Sequence, residues 1–174
     1  MTERVQVRLA IPQDADLIAG HRVRMFQDMG QLPPDLVEPF RSSARERLWV
    51  LLETGEYVGW LASTRASPGT VVAGVGVQRR QVFPHPRQRA DGSIVVASGR
   101  HAIVLNLFTE PSWRRQGIAE LLMRHALEWA RCERLDRLVL HASAEGRPLY
   151  ERLGFVPTNE MRFADELQPS SAGC

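Results

Sequence analysis

The sequence contains no lysine, because all of its 22 basic residues are arginine. This absence excludes a Schiff-base lysine and the lysine of a Walker-type phosphate-binding loop. Cysteine is also scarce: Cys132 and Cys174 form neither a metal-ligand spacing nor a disulfide framework, which favours a reducing compartment. No apolar run approaches the roughly 20 residues of a membrane span, and no signal-peptide core follows Met1. These absences together predict a cytoplasmic protein without a membrane partner.

Length and charge narrow the class further. A chain of 174 residues can bury a substantial core as one domain, and we expect a single domain over residues 1–167 followed by a loose tail over residues 168–174. The formal net charge is only +2, and the pair Arg79 and Arg80 lacks the interleaved aromatic residues of a nucleic-acid surface. Nucleic acid is therefore not an expected partner, whereas a homodimer is compatible with this composition.

The isolated histidine and glycine motifs predict no further chemistry. His125 lies near the apolar face of a predicted helix without a second ligand at helical spacing, and we expect no metal site. Gly74 and Gly76 resemble half of a dinucleotide fingerprint, but the third glycine is missing and both lie on a predicted strand. Glycines within a strand indicate instead a bulge or a close neighbour.

Periodicity and turn residues predict the order of elements in the first 100 residues. The predicted elements are a strand at residues 5–9, a helix that is N-capped by Asp14 and runs to about Met29, a helix that starts after Pro34 and extends toward Arg47, and strands at residues 48–52, 57–63 and 71–78. A turn at residues 54–56 makes the first two of the later strands a hairpin, and the third completes a meander. Residues 79–100 are rich in arginine and also contain proline and glycine, so we expect a long, mostly exposed excursion with an extra turn of structure or a flap.

A strand followed directly by a helix is the most informative pattern in the chain. Residues 102–109 read as a strand that ends before Pro111, and from Ile118 apolar residues recur with the period of a buried helix face. The helix opens through a loop containing Gly117, whose backbone can approach a ligand closely. Because the first N–H groups of a helix are unpaired and lie at its positive end, this junction predicts a site for a phosphate-bearing ligand.

Two motifs give the chain a resemblance to a known family. The pattern Arg or Gln, two residues, Gly, one residue, then Gly or Ala is filled by Arg114, Gly117 and Ala119. Downstream come, in order, a strand at residues 138–143, a helical stretch carrying Tyr150, and the residues Gly154, Phe155 and Val156 leading into a last strand. In this order and spacing, the two motifs resemble those of the GNAT superfamily of acyl-CoA-dependent N-acetyltransferases over roughly residues 100–163.

The resemblance implies a fold and a co-substrate. The fold would be α+β, with a GNAT-like mixed, mostly antiparallel central sheet that is flanked by helices and splayed between its fourth and fifth strands. The splay would fall at residues 107–109, where backbone groups would hold the pantetheine arm of acetyl-CoA. The implied contacts with acetyl-CoA are Leu107, Phe108, Thr109, Arg114, Arg115, Gln116, Gly117, Ile118, Ala119, Ser143 and Tyr150. At Ser143 relatives often carry asparagine.

The resemblance also implies a reaction in which a neutral amine attacks a thioester and a thiolate leaves. Tyr150 would protonate the thiolate as general acid, since a phenol with a pKa of about 10 is protonated at neutral pH. A backbone N–H near Phe108 would stabilise the oxyanion. Asn106 stands where many relatives place a glutamate; it can orient water or substrate but cannot take a proton. Proton removal would then pass through water to Glu110, His141 or an acid on the first helix.

The sequence predicts the residues that bind the acceptor with less detail than those that bind the co-substrate. In the family, the first two helices and the loops that face the splay build the acceptor site, which here includes Met25, Asp28, Met29 and Asn159. An apolar group with one carboxylate suits a primary amine of a small molecule or peptide better than a polycationic aminoglycoside. Two functions fit these residues: an acetyl-CoA-dependent N-acetyltransferase, or a non-catalytic acyl-CoA-binding sensor module of the same fold. Asn106 in place of an acid favours the sensor slightly, and Tyr150 favours the enzyme.

Overall fold

The computed structural model describes residues 4–89 and 91–160 of the 174-residue chain. Its helices are α1 (Ala15–Asp28), α2 (Val37–Glu53), α3 (Ile118–Cys132) and α4 (Arg147–Arg152). Its strands are β1 (Val5–Leu9), β2 (Tyr57–Thr64), β3 (Val71–Gln81), β4 (His85–Gln88), β5 (Ile94–Ala97), β6 (Arg100–Thr109) and β7 (Arg137–Leu140). Short 3-10 turns occur at Pro12–Asp14, Pro34–Leu36 and Pro111–Trp113. The chain divides into two compact units, one reaching to His141 and the other beginning at Ala142.

A five-stranded sheet in the order β1-β2-β3-β6-β7 forms the centre of the first unit. Its first four strands are antiparallel neighbours, whereas β7 runs parallel to β6. One face is covered by a cluster of buried side chains from α1, α2 and β2, namely Ala15, Ile18, Ala19, Leu48, Leu51, Tyr57 and Leu61. On the opposite face, Trp60 of β2 contacts Trp129 of α3, with ring centroids 6.0 Å apart. This mixed, mostly antiparallel sheet with flanking helices confirms the predicted fold class.

The prediction of a strand at residues 48–52 is wrong, because α2 runs through them. Leu48 and Leu51 are buried while the two residues between them are exposed, which is the spacing of a helix face rather than the alternation of a strand. The residues expected to form a hairpin turn end the helix instead. Thr54 is the C-cap, and Gly55 has a φ of 73°, the left-handed conformation that commonly follows a helix. β2 therefore pairs with β1 and β3.

The arginine-rich excursion predicted at residues 79–100 contains more regular structure than expected. β3 continues to Gln81, and β6 begins at Arg100. Between them, β4 and β5 form a two-stranded antiparallel sheet, with His85 opposite Ala97. The extra structure in this segment is a hairpin, which arginine-rich composition alone does not distinguish from an exposed loop.

Gly76 on β3 lies directly beneath the ring of Tyr57. A Cβ on Gly76 would lie 1.8 Å from the Tyr57 hydroxyl oxygen, so only glycine leaves room for this ring. Gly74 is crowded as well, since a Cβ there would lie 3.0 Å from Leu61 and 3.3 Å from His21 Nδ1. The expectation of close neighbours at the strand glycines is confirmed.

The end of the chain matches the prediction in part. β7 is shorter than the strand predicted at residues 138–143, while α4 forms where a helix carrying Tyr150 is predicted. The last strand does not form within residues 155–160. Its continuation and the tail predicted at residues 168–174 lie outside the described residues, and a single domain over residues 1–167 stays a prediction.

Candidate active site

One edge of β6 is open over its second half. On the β3 side, β6 is paired from Arg100 to Thr109 with one interruption, but on the other side β7 pairs only with residues 101–104. In the part of the chain that the structure describes, no strand pairs with the β7 side of residues 105–109. Pairing between the fourth and fifth strands of the sheet therefore ends before residues 107–109, where the family resemblance implies a splay.

Thr109 shows which backbone groups face this open edge. Its carbonyl accepts a hydrogen bond of 3.0 Å from Arg114 Nε, whereas the N–H of Glu110 donates to β3 at 2.8 Å. Because successive strand residues point their N–H and C=O groups to opposite edges, the N–H groups of Thr109 and Leu107 face the open edge and that of Phe108 faces β3. The Thr109 hydroxyl is also buried without a hydrogen-bond partner among the described residues.

A β-bulge at Asn106 marks the start of the open segment. Gly76 lies opposite Leu105, but Gly74 lies opposite Phe108, so β6 carries one more residue than β3 across this step. Asn106 has a φ of 57°, a left-handed conformation that asparagine tolerates better than most residues. Bulges can re-aim a side chain, and the Asn106 side chain is buried here, with the residue 6% exposed.

The buried Asn106 amide connects α1 to β2. Its Oδ1 accepts a hydrogen bond from Arg22 Nη1, and its Nδ2 donates to the Tyr57 hydroxyl oxygen at 3.0 Å. Burial raises the pKa of Tyr57 to about 12, so this phenol is protonated at neutral pH. Asn106 is thus itself oriented by two side chains, one on each side of its amide.

A second cluster surrounds the Phe108 ring. The His21 ring lies 5.0 Å from it, and the Cζ atoms of Arg24 and Arg114 lie 5.1 Å and 5.9 Å from its centroid. Glu110 forms an ion pair with Arg24, and its Oε1 lies 3.9 Å from His21 Nε2. Burial, together with the charge of Arg24, lowers the pKa of His21 to about 4. His21 therefore packs against Phe108 as a neutral ring at neutral pH.

The loop before α3 leaves backbone N–H groups free. Arg115 has a φ of 60°, and Gly117, the N-cap of α3, has a φ of 81°. No described side chain caps this end, and the first bond within the helix runs from Leu121 to the Gly117 carbonyl at 3.0 Å. The N–H groups without a partner inside the helix are therefore those of Ile118, Ala119 and Glu120. With the positive end of the helix dipole, they form a site suited to an anion.

The side chain of Arg114 connects two predicted parts of the site. Its Nη2 forms an ion pair with Asp28 at the end of α1, while its Nε donates a hydrogen bond to the Thr109 carbonyl oxygen. Gln116 stabilises the same loop, because its Nε2 donates to a carbonyl within the loop at 3.1 Å. Asp28, predicted on the acceptor side, is thus brought next to the strand predicted to hold the co-substrate.

The other predicted acceptor residues on the first helix lie close to Asp28 in the chain. Met25 is half-buried in α1, and Met29, the C-cap of that helix, is 40% exposed. His141, one of the alternative bases, is exposed just after β7. The end of α1 therefore carries two apolar, partly exposed side chains close in the chain to Asp28.

Ser143 and Tyr150 lie close together in the second unit. The Ser143 hydroxyl oxygen accepts a hydrogen bond of 3.1 Å from the Gly146 N–H, and a Cβ on Gly146 would lie 2.9 Å from the Tyr150 ring. The Tyr150 ring lies 6.1 Å from Phe155. Burial raises the pKa of Tyr150, so its hydroxyl is protonated at neutral pH. Asn159 is exposed in the same unit.

Three side chains of the site, Arg22, His21 and Tyr57, are not predicted as functional from the sequence. The four-residue spacing of Arg22 and Phe26 on a helix is a signal that could indicate their contact. The bond between Tyr57 and Asn106 joins residues 49 positions apart, and no local pattern marks it.

Comparison with known proteins identifies the family. The model of the Acetyltransferase (GNAT) family matches residues 21–155, and the chain belongs to this family. It is similar to the structure of a GCN5-related N-acetyltransferase from Ralstonia eutropha JMP134, with 29% identity, coverage of 92% of this chain and 98% of that chain, and a TM-score of 0.78.

Two further structures share the fold. A predicted acetyltransferase with acetyl-CoA from Clostridium acetobutylicum is 23% identical, covers 92% of this chain and 96% of its own, and has a TM-score of 0.72. An aminoglycoside N-acetyltransferase in complex with CoA is 15% identical, covers 94% and 95%, and has a TM-score of 0.63. A comparison with curated proteins found no match.

Family membership establishes acetyl-CoA as the co-substrate and acetyl transfer as the general reaction. The described helices include none with the length and apolar character needed to cross a membrane. Over the same residues, no group of three histidine, cysteine, aspartate or glutamate side chains is arranged to hold a metal ion.

Proposed function

We propose that the protein transfers the acetyl group of acetyl-CoA to a primary amine of a small molecule or peptide, by direct attack and with Tyr150 as general acid. One observation carries this proposal: the open edge of β6 at residues 105–109 is joined by the short loop at residues 110–117 to the unpaired N–H groups that begin α3. Such a junction suits the extended arm and the diphosphate of acetyl-CoA. The scarcity of cysteine supports a cytoplasmic location.

The co-substrate would be held mainly by backbone groups. The pantetheine arm would bond to the N–H groups of Leu107 and Thr109, beside Phe108, and the buried Thr109 hydroxyl offers a further polar contact. The diphosphate oxygens would accept hydrogen bonds from the N–H groups at the start of α3. The left-handed conformation of Gly117 permits a close approach there, and the exposed Arg115 adds a cation beside it.

The reaction requires the amine nitrogen to bond to the thioester carbon while negative charge collects on the carbonyl oxygen. An N–H of the open edge, from Leu107 or Thr109, is the proposed oxyanion donor. The C–S bond then breaks with its electron pair on sulfur, and Tyr150 gives its proton to that sulfur. Ser143 would support this step indirectly, because its hydrogen bond shapes the loop that lies against the Tyr150 ring.

Removal of the amine proton is assigned to water and Glu110. Asn106 cannot accept a proton, and His21, with a pKa of about 4, is a weak base at neutral pH. The Glu110 carboxylate follows the open segment directly and is held by Arg24, so a water between amine and carboxylate can relay the proton. The positive charge of Arg22 beside Asn106 favours the neutral form of a nearby amine.

Release of CoA thiol tests this function. The protein is mixed with acetyl-CoA and with amino acids, polyamines, aminoglycosides and short peptides, and thiol release is followed together with acetylated product. We expect release that depends on the amine and matches product in amount. The Gly69→Ala variant is a matched control for changes at Gly117, since nothing lies within 4 Å of a Cβ at Gly69.

Asn106 supports a second function, a non-catalytic acyl-CoA-binding sensor. A buried amide with no proton-accepting capacity occupies the bulge beside the open edge. The two functions differ in one result. Thermal stabilisation by acetyl-CoA without acetylation of any amine in the panel would favour the sensor.

A further inference from the structure

Arg22 carries a charge that no described carboxylate neutralises. The two arginines around the Phe108 ring are each paired with an acid: Arg24 with Glu110, and Arg114 with Asp28. For Arg22, the hydrogen-bond partner within residues 4–89 and 91–160 is the neutral amide of Asn106. Arg22 is therefore a partly buried cation whose counter-ion is not supplied by the described chain.

The surroundings of Arg22 disfavour an isolated charge. Burial lowers its pKa, yet a guanidinium remains charged in proteins. Its Cζ lies 4.9 Å from the centroid of the Phe26 ring and 5.7 Å from that of Phe40. Aromatic rings attract a cation but do not neutralise it. An anionic ligand would stabilise this half-buried guanidinium by supplying the missing counter-ion.

Part of the Arg22 guanidinium is available to such a ligand. Nη1 donates to Asn106, which leaves Nε and Nη2 as a planar fork that matches the two oxygens of a carboxylate. Asn106 lies in the bulge at the start of the open segment. The next residue of β6 is Leu107, one of the two proposed oxyanion donors. At roughly 3.3 Å per residue along a strand, an anion on Arg22 therefore lies close enough to a reaction centre at Leu107 for an α-amino acid to reach both.

We propose that Arg22 binds a carboxylate of the acceptor, so that the acceptor is a free amino acid with an apolar side chain. This inference rests on the proposed acetyl transfer and narrows its substrate class. The amine and carboxylate of an α-amino acid are separated by one carbon, and the rings of Phe26 and Phe40, 5.5 Å apart, offer apolar surface to the side chain. Arg22 is a specificity-determining residue in this account.

Matched acceptors test the inference. Leucine is compared with leucinamide and isoamylamine, which keep the amine and the apolar chain but lack the carboxylate. We expect leucine to be preferred in kcat/KM on the order of tenfold to hundredfold, as for a hydrogen-bonded charge pair. Arg22→Gln should bring the ratio of kcat/KM for leucine to that for isoamylamine close to one, by raising the KM for leucine. Arg22→Lys should restore part of this preference for leucine. The control is Arg41→Gln, since Arg41 is paired with Asp16, whereas the side-chain partners of Asn106 among the described residues are Arg22 and Tyr57.

A binding measurement makes the test independent of turnover. N-acetylleucine is titrated by calorimetry into the parent and into Arg22→Gln, both saturated with CoA and both checked for folding by their Tm. Binding to the parent that is weakened in Arg22→Gln supports the inference.

Three results would overturn the inference: equal use of leucine and isoamylamine by the parent, an unchanged ratio in Arg22→Gln, or a preference for phosphoethanolamine over every amino acid. Each of these leaves acetyl transfer standing. Binding of acetyl-CoA without acetylation of any amine would overturn the proposed function as well.

Discussion

Acidification is expected to destabilise the protein through His21. This side chain is 2% exposed, and burial lowers its pKa from 6.5 to about 4. Between these values the unfolded chain binds more protons than the folded chain, so stability is lost as the pH falls through this window. At about 1.4 kcal/mol per pH unit of difference, the full loss is about 3 kcal/mol. Between pH 7 and pH 5 we expect about 2 kcal/mol of it.

Urea unfolding at pH 7 and pH 5 measures this loss. The difference in unfolding free energy between the two pH values should shrink by about 2 kcal/mol in His21→Gln, because glutamine does not titrate. His125→Gln is the matched control, since His125 is exposed on α3, and it should leave the difference unchanged. If the parent and His21→Gln lose the same free energy on acidification, His21 does not titrate with a lowered pKa and its neutral packing against Phe108 is refuted.

Three further substitutions test other parts of the site. Gly117→Val should abolish acetyl-CoA binding, measured by calorimetry, and leave the fold largely intact, because a branched side chain strains a φ of 81° and blocks the N–H groups at the start of α3. Unchanged affinity would show that these N–H groups do not bind the co-substrate. Tyr150→Phe should lower kcat by about a hundredfold with little change in KM or Tm, and a parent-like rate across the pH profile would make Tyr150 a packing residue. Gly76→Ala should lower the free energy of unfolding in urea by about 1–3 kcal/mol, since its Cβ would lie 1.8 Å from the Tyr57 hydroxyl. Gly69→Ala should change this free energy little, and equal stability of the two variants would contradict the packing of Gly76 against Tyr57.

The parts of the fold that depend on neighbouring residues are predictable from the sequence. The loop containing Arg114 and Gly117 lies between a strand and a helix, and both elements form as predicted. The open edge at residues 105–109 includes residues 107–109, the position that the family resemblance implies. These features depend on short motifs and on periodicity, both of which involve residues that are close together in the sequence.

The failures have a common physical origin in contacts between distant residues. Residues 48–52 are apolar enough for a strand, but burial against α1 and β2 makes them the last turns of a helix. The left-handed conformation of Asn106 and its bonds to Arg22 and Tyr57 depend on residues 84 and 49 positions away. No window of sequence around Asn106 contains that information.

Acetylation of an amine at the expense of acetyl-CoA is the reaction that distinguishes a transferase from a protein that only binds the co-substrate. The protein is incubated with acetyl-CoA and apolar amino acids, and mass spectrometry quantifies N-acetylated product while thiol release quantifies CoA. We expect equal amounts of the two, formed by the parent and by Gly69→Ala but not by Gly117→Val. Saturable binding of acetyl-CoA with no acetylated product from any amine in the full panel would contradict this expectation.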